Sequence, residues 1–184
     1  MATPDRPDLV PTDVFEALHQ IGVAIGGTGS AAAQPGDYST LPVDPNLITD
    51  SLAYTAAPQV LNPNGEPGVT AVYNHRDGGR QITSTILVLP DAAAATAALN
   101  GSRAELAGKV ANGQTQPAAV GAGGTMVSGM SPDGSKSVTV LTFTQGNAAA
   151  TIEFDGAPKD PAPADLVVEL GQKQDTAIRD WQAA

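Results

Sequence analysis

The chain of 184 residues contains no cysteine. Disulfides, thiol nucleophiles and thiolate metal sites are therefore excluded. The lack of disulfides does not settle the compartment, because an exported domain of this size can fold without them. Aromatic residues make up only 4% of the chain. The core therefore has to be built mainly from alanine, valine, leucine and isoleucine.

Basic residues are scarce as well, because nine lysines and arginines face nineteen acidic residues and leave a formal net charge of −10. Such a surface repels phosphate backbones and anionic lipid headgroups, so we expect no nucleic-acid partner and no direct adsorption to a membrane. No apolar run approaches the roughly 18 residues of a membrane span. The polar start Met1–Asp5 lacks a signal-peptide pattern. We interpret it as the start of a mature domain, whose membrane contact is limited to an anchor upstream of residue 1, such as a lipidated cysteine.

Residues that commonly carry catalysis are few and scattered. His19 and His75 are the two histidines, and neither has another ligand at metal-binding spacing, so we expect no metal and no cofactor. Ser128 lacks the preceding glycine of a nucleophile elbow. Glu153 and Asp155 share one face of a predicted strand, but hydrolytic carboxylate pairs come from distant segments. No catalytic residue is predicted, and a chelator is expected to leave the melting temperature unchanged. A hydrolase using Ser128 or the histidines remains an alternative.

The clearest pattern in the chain lies between Ser137 and Phe154. Two runs of strand-forming residues flank Gly146-Asn147, a pair that favours a tight hairpin turn. In the second run Ile152 and Phe154 alternate with polar residues, which predicts one buried face and one face in water. The stretch is predicted to be a central antiparallel hairpin.

The remaining patterns predict an α+β fold with helices packed on an antiparallel sheet of about five strands. Residues 1–11 are expected to be a disordered arm or tether, and residues 12–184 a single domain. The predicted order is a helix from Thr12, an irregular proline-rich segment, two strands, a helix, three strands and a helix. The middle helix starts after Asp91, buries Ala97, Ala98, Leu99, Leu106 and Val110, and is kinked or split at Gly101. Trp181 is expected to be buried and to clamp the last helix onto the sheet.

A ligand or partner site is predicted in the proline-rich segment 31–67. Its prolines forbid a long helix or inner strand, with short turns or one-turn helices expected around residues 45–48. A disordered linker normally has fewer large apolar residues than this segment contains. Because binding residues concentrate on loops carried by a rigid scaffold, the expected contacts are Tyr38, Tyr54, Leu41 and Ile48. The alternative is a covering loop that only completes the core.

Two stretches resemble a known group of proteins. They are Tyr73-Asn-His with Val88-Leu-Pro-Asp91 and the alanines that follow, and Phe143-Thr-Gln-Gly-Asn147 leading into Asp165-Leu166. Over residues 68–182 the chain resembles the cell-envelope lipoproteins and sensor-type extracellular domains of mycobacteria and other actinobacteria. The sensor-type domains of receptor kinases typically carry disulfides, which this chain lacks. The resemblance implies an exported domain without catalysis, and it transfers no site residue.

The sequence therefore predicts a non-enzymatic, extracytoplasmic protein of the cell envelope, either lipid-anchored or secreted, that binds an envelope ligand or a protein partner. A carrier of lipid or another small apolar molecule is an alternative, because the small side chains of Ala148, Ala149 and Ala150 leave room for a cavity between sheet and helices.

Overall fold

The predicted hairpin forms the middle of an antiparallel sheet. The structure, a computed structural model, describes residues 37–49 and 52–184. Strand β7 (Ser137–Gln145) turns through Gly146, whose φ of 56° suits glycine, and returns as β8 (Ala148–Gly156). Strand β8 has three strands on either side of it along the main path of the sheet. The prediction of a central hairpin is confirmed.

Within the described residues the sheet has eight strands in the order β1-β3-β4-β8-β7-β6-β5, with β2 also paired to β3. The strands other than the central hairpin are β1 (Tyr54–Ala56), β2 (Val60–Leu61), β3 (Gly68–His75), β4 (Arg80–Val88), β5 (Ala111–Pro117) and β6 (Ala122–Met130). The helices are α1 (Ala92–Lys109), α2 (Ala164–Ala183) and the short 3-10 helices Tyr38–Thr40, Pro45–Leu47 and Pro63–Gly65. The α+β class and the one-turn helix near residue 45 are confirmed, whereas the prediction of about five strands was wrong.

Helix α1 begins where its capping residue was predicted. The side chain of Asp91 accepts a hydrogen bond from the Ala94 N–H at 2.7 Å, which satisfies one of the unpaired donors of the first turn. The helix continues through Gly101 to Lys109, so the predicted kink or break is absent. Leu99 and Leu106 are buried as predicted, but Ala97 is exposed. The predicted burial of Ala97 was wrong, because Ala95, Leu99 and Leu106 form the buried side of the helix and Ala97 lies on another side.

The two helices cover opposite faces of the central strands. On the α2 face, Phe143, Ile152 and Phe154 pack with Leu170 and Ile178. On the α1 face, a smaller cluster contains the buried residues Leu106, Val110, Val138 and Val140. Because α1 lies over β7 and β8, Thr151 and Glu153 are only partly exposed. The predicted face of β8 in water was therefore wrong.

Strands β1, β2 and β5 were missed for a common reason. Strand β5 has the sequence ANGQTQP, which contains no alternation of apolar and polar residues. Strands β1 and β2 are three and two residues long and are separated by Pro58. Each of them is a strand because it pairs with a stronger neighbour, β6 or β3, and not because of its own composition.

The described residues belong to one compact unit, Pro35–Ala184. The predicted arm at residues 1–11, the helix from Thr12, and His19 lie outside the described residues. Within the described part, no helix has the length and apolar character needed to cross a membrane. Trp181 is partly buried near the end of α2, and its ring centroid lies 5.8 Å from that of Tyr38. As predicted, its side chain packs against the core, and it keeps a part exposed to solvent.

Candidate functional site

A polar cleft lies at the end of the sheet where β3, β6 and β8 finish and β4 and β7 begin. We call it the strand-end cleft; it has a volume of about 350 Å³. Its walls are the β3–β4 turn, the β6–β7 turn and the end of β8. The lining residues are Asn74, Gly78, Gly79, Arg80, Gln81, Ser135, Lys136, Asp155, Gly156 and Ala157.

The register of the central strands brings these residues together. Arg80 is opposite Gly156, and Gln81 is opposite Asp155, in the β4–β8 ladder. Ser137 pairs with Gly156 from the other side and so places Lys136 at the same end. Gln81 donates a hydrogen bond from its Nε2 to the Oδ1 of Asn74 at 2.8 Å. Residues from positions 74 to 157 thus converge because β8 lies between β4 and β7.

Charges of both signs line or border the strand-end cleft. The Nζ of Lys136 lies 3.3 Å from the Oδ2 of Asp155, and the Nη2 of Arg80 lies 3.1 Å from the Oδ2 of Asp160. Asp155 and Arg80 are both mostly buried, with side chains 17% and 18% exposed, while Lys136 and Asp160 are mostly exposed. Each pair therefore joins a charge held by the sheet to one that is free to move in solvent.

Two polar atoms of the cleft are buried without a partner among the residues the structure describes. They are the Nε of Arg80, a donor, and the Oδ1 of Asp155, an acceptor. Buried polar atoms are nearly always hydrogen-bonded to protein or water, so an unpartnered pair at one cleft is unusual. The two side chains belong to opposite faces of the sheet, because Arg80 is paired with Gly156 and Asp155 with Gln81.

Glu153 adds a second carboxyl beside Asp155 on the α1 face of β8. Burial raises the pKa of Glu153 above its ordinary value, the Asp155 carboxylate raises it further, and Lys109 opposes the rise. The Nζ of Lys109 lies 3.9 Å from the Oε2 of Glu153. The predicted placement of Glu153 and Asp155 on one face of a strand is confirmed by their registers with Val140 and Val138.

A smaller cleft of about 130 Å³ adjoins the strand-end cleft and shares Gly79 and Arg80 with it. Its other lining residues include His75 and Asp77, whose Nδ1 and Oδ1 atoms are 2.6 Å apart. The ring of Tyr54 packs edge-on against that of His75 at a centroid distance of 5.1 Å. Burial raises the pKa of Tyr54, and the Arg80 guanidinium opposes that rise.

The four predicted contact residues lie in or against one hydrophobic core. Tyr38, Leu41 and Tyr54 are buried, and Ile48 is partly buried against the same cluster. Tyr54 is the one that borders the strand-end region, because it is paired with His75 and lies near Arg80. For the described part of the proline-rich segment the structure favours the alternative of a covering loop. Ligand contact by these four residues stays a prediction.

Three features of the structure bear on the alternatives to a binding function. The hydroxyl of Ser128 has one partner within the described part of the chain, the hydroxyl of Thr139 at 3.1 Å. No group of three or more His, Asp or Glu residues that could hold a metal occurs in residues 37–49 and 52–184. Ala148, Ala149 and Ala150 are buried and line neither the strand-end cleft nor the smaller cleft beside it. Non-enzymatic function and the absence of a cofactor stay predictions.

Sequence reasoning missed Arg80 and Lys136 as site residues. Each follows or ends a turn, and such charges are ordinary on a protein surface. The one available signal was the Glu153–Asp155 spacing on a strand that is otherwise apolar. The cations were not detectable, because sheet order decides which turns lie beside the end of β8.

Comparison with known proteins supports the fold. No protein-family model matches the chain, and no curated protein matches it significantly. Among solved structures, the crystal structure of the extracellular domain of PknH from Mycobacterium tuberculosis is similar, with a TM-score of 0.53 and 11% sequence identity. The match covers 76% of this chain and 94% of that chain. At this identity the likeness shows a shared fold, in agreement with the predicted resemblance to sensor-type extracellular domains. The resemblance to lipoproteins stays a prediction.

Proposed function

We propose that this chain is an extracytoplasmic, sensor-type domain of the cell envelope that acts by binding and not by catalysis, with a small polar ligand in the strand-end cleft. The observation that carries the proposal is the fold shared with nearly the whole extracellular domain of PknH. Folds host many functions, so the ligand has to be argued from the cleft itself.

The chemistry of the strand-end cleft favours a small hydrophilic molecule. Arg80 and Lys136 supply donors, Asp155 supplies an acceptor, and the amides of Asn74 and Gln81 supply both. No aromatic or large aliphatic side chain lines the cleft among the described residues, so it offers little to a lipid tail. A sugar or an amino acid carries both donors and acceptors, which suit the amides of Asn74 and Gln81 and the charged groups that line the cleft.

The residues around the cleft also support binding over catalysis. His75 has a carboxylate partner, Asp77, and the hydroxyl of Ser128 is bonded to that of Thr139. A nucleophile needs a base within hydrogen-bond reach, and among the residues that the structure describes no such base is bonded to Ser128.

Cellular location is tested on the cells that make this protein. A protease added to intact cells should digest the domain, while a cytoplasmic marker protein survives. Fractionation with and without detergent then separates an anchored form from a secreted one. Digestion only after lysis would overturn the proposed location.

Ligand binding is tested by titrating ¹⁵N-labelled protein with a panel of monosaccharides and free amino acids. We expect at least one member to shift the amide signals of Gly78, Gly79 and Gly156. Arg80→Met and Asp155→Asn should each abolish the shifts. The matched controls are Arg76→Met, an exposed arginine in the β3–β4 turn that does not line the cleft, and Asp165→Asn, an exposed aspartate in the first turn of α2. Shifts that survive in both cleft variants would contradict binding at this site.

A further inference from the structure

Strand β5 forms an uncharged edge of the sheet in the part of the chain that the structure describes. Among the described residues, β5 pairs with β6 and has no strand on its other side. Six of its seven residues, Asn112 to Pro117, are exposed, and its sequence ANGQTQP carries no charge. Natural proteins usually protect an edge with lysine, proline or a bulge. The bulge near Asn112 protects one end of β5, and Pro117 protects the other. The edge backbone between them, from Gln114 to Gln116, has no such protection.

The direction of the free backbone groups follows from the register of β5 on β6. The N–H of Ala118 donates to the carbonyl of Gly124 at 3.0 Å. Bonded positions alternate in an antiparallel ladder, so Gln114 and Gln116 also bond towards β6. The N–H and carbonyl of Thr115 and the carbonyl of Pro117 therefore point away from the sheet. Pro117 has no N–H to lose, which agrees with its outward position.

An apolar groove runs beside this edge, between α1 and strands β5 and β6. Its volume is about 300 Å³. The apolar walls are Leu106 and Ala107 of α1, Val110 directly after that helix, and Val127 of β6. Thr115 lines the groove as well, so the groove and the open backbone of β5 meet at one residue.

Arg103 gives the groove a positive charge. Its Nε donates to the hydroxyl of Thr142 at 3.2 Å. Its Nη2 donates to the hydroxyl of Thr125 at 2.8 Å and to the carbonyl of Gly123. Its Nη1 has no partner within the described residues, and the side chain is partly exposed. The guanidinium is thus held in place by the fold while one nitrogen stays available for a carboxylate.

We propose that the β5 edge and this groove together bind an extended peptide of a partner protein, independently of the strand-end cleft. The peptide adds a strand to β5 through the outward groups of Thr115 and Pro117, as in strand addition to other sheet edges. One apolar side chain enters the groove between Leu106, Val110 and Val127. A carboxylate of the peptide, from its C-terminus or an acidic side chain, pairs with Arg103.

A second copy of this chain fits the groove less well than such a peptide. If two β5 strands paired with each other, the second copy would present Gly113, Thr115 and Pro117 on the groove side, because Thr115 is opposite the groove residue Val127. Gly113 has no side chain, and the short side chains of Thr115 and Pro117 would leave the apolar walls largely uncovered. An extended peptide with a larger apolar residue fills the same space.

The test uses ¹⁵N-labelled protein and the pentapeptides acetyl-Thr-Thr-X-Thr-Val with a free C-terminus, where X is alanine, valine, leucine, isoleucine, methionine or phenylalanine. We expect at least one to bind with a Kd below about 1 mM and to shift the amide signals of residues 113–116 and 103–110. Ala107→Trp fills the groove and should weaken binding by about tenfold or more. Its control, Ala104→Trp, lies on an exposed part of α1 that does not line the groove.

Backbone pairing is tested at Thr115. Thr115→Pro removes the outward N–H and should weaken binding, whereas Thr115→Ala keeps it and should bind within about twofold of the parent. The same peptide with an amidated C-terminus should bind more weakly if Arg103 recognises the carboxylate.

Binding that is unchanged in Ala107→Trp, or the lack of binding by all six peptides, would overturn the proposal. Concentration-dependent broadening of the β5 signals without peptide would assign the edge to a second copy instead. Arg80→Met should leave peptide binding unchanged, so failure here is separate from failure at the strand-end cleft.

Discussion

The side chain of Gln174 on α2 is hydrogen-bonded to the backbone of Leu41. Its Nε2 donates to the Leu41 carbonyl at 2.7 Å, and its Oε1 accepts from the N–H of Val43 at 2.9 Å. Gln174 is 1% exposed. A buried amide with both ends satisfied ties the segment around Leu41 to α2 and explains a polar residue on the inner side of that helix.

Gln174→Ala is expected to lower the free energy of unfolding by about 2 kcal/mol or more, because the Leu41 carbonyl and the Val43 N–H lose their partner. The measurement is urea-induced unfolding. Gln172→Ala is the control on the same helix, since Gln172 is exposed and donates one bond, to the carbonyl of Ala119. A smaller loss for Gln174→Ala than for Gln172→Ala would contradict this assignment.

Trp181→Ala is expected to cost about 2 kcal/mol, less than the roughly 3–5 kcal/mol of a fully buried aromatic residue. The ring packs against the core and near Tyr38 but keeps a solvent-facing part. The emission maximum of the single tryptophan should lie between those of buried and free tryptophan, with partial quenching by acrylamide. A maximum equal to that of unfolded protein would show that the ring does not pack as described.

Two helical glycines are expected to respond to alanine with opposite signs. Gly101 of α1 has open space where a Cβ would stand, so Gly101→Ala should stabilise the protein by about 0.5–1 kcal/mol. At Gly171 of α2 a Cβ would collide with the side chain of Leu141, and it would lie 3.1 Å from both methyl carbons of Val120. Leu141 and Val120 are buried, so overpacking should outweigh the gain in helix propensity. The measurement is the melting temperature of each variant. A higher melting temperature for Gly171→Ala than for the parent would refute the close packing of α2 against Leu141 and Val120.

Glu153→Gln is expected to stabilise the protein at pH 7. The pKa of Glu153 is raised in the folded state, so folding favours the protonated form and disfavours the charged one. This penalty is absent below the unfolded pKa of about 4.3 and complete above the folded pKa. The substitution also removes the contact with Lys109, which reduces the gain in stability only slightly, because partly exposed ion pairs contribute little to stability.

The measurement is the difference in melting temperature between Glu153→Gln and the parent at pH 4 and pH 7. The difference should be small at pH 4 and positive at pH 7. Glu105→Gln, an exposed glutamate of α1, is the control and should change the melting temperature less. If Glu153→Gln raised the melting temperature more at pH 4 than at pH 7, the pKa of Glu153 would not be raised by folding, which would contradict its burial.

Local chemistry in the sequence was enough to predict the strongest elements. The hairpin of β7 and β8 follows from two apolar runs around Gly146, and the start of α1 follows from Asp91 as its capping residue. The hairpin of β3 and β4 and the helix α2 were predictable for the same reason. In each case the information lies within a few neighbouring residues, where hydrogen bonds and side-chain periodicity are local.

The tertiary structure alone decided the rest. Strand β5 has no strand-like pattern, and its extended form depends on pairing with β6. Glu153 has the alternation of a residue in water, but α1 covers it because the helix crosses back over the strands next to it. The strand-end cleft exists because β8 lies between β4 and β7, which brings Arg80 and Asp155 to one place. Sheet order and helix placement are set by long-range burial of apolar surface, to which every element contributes and which no single stretch of sequence encodes.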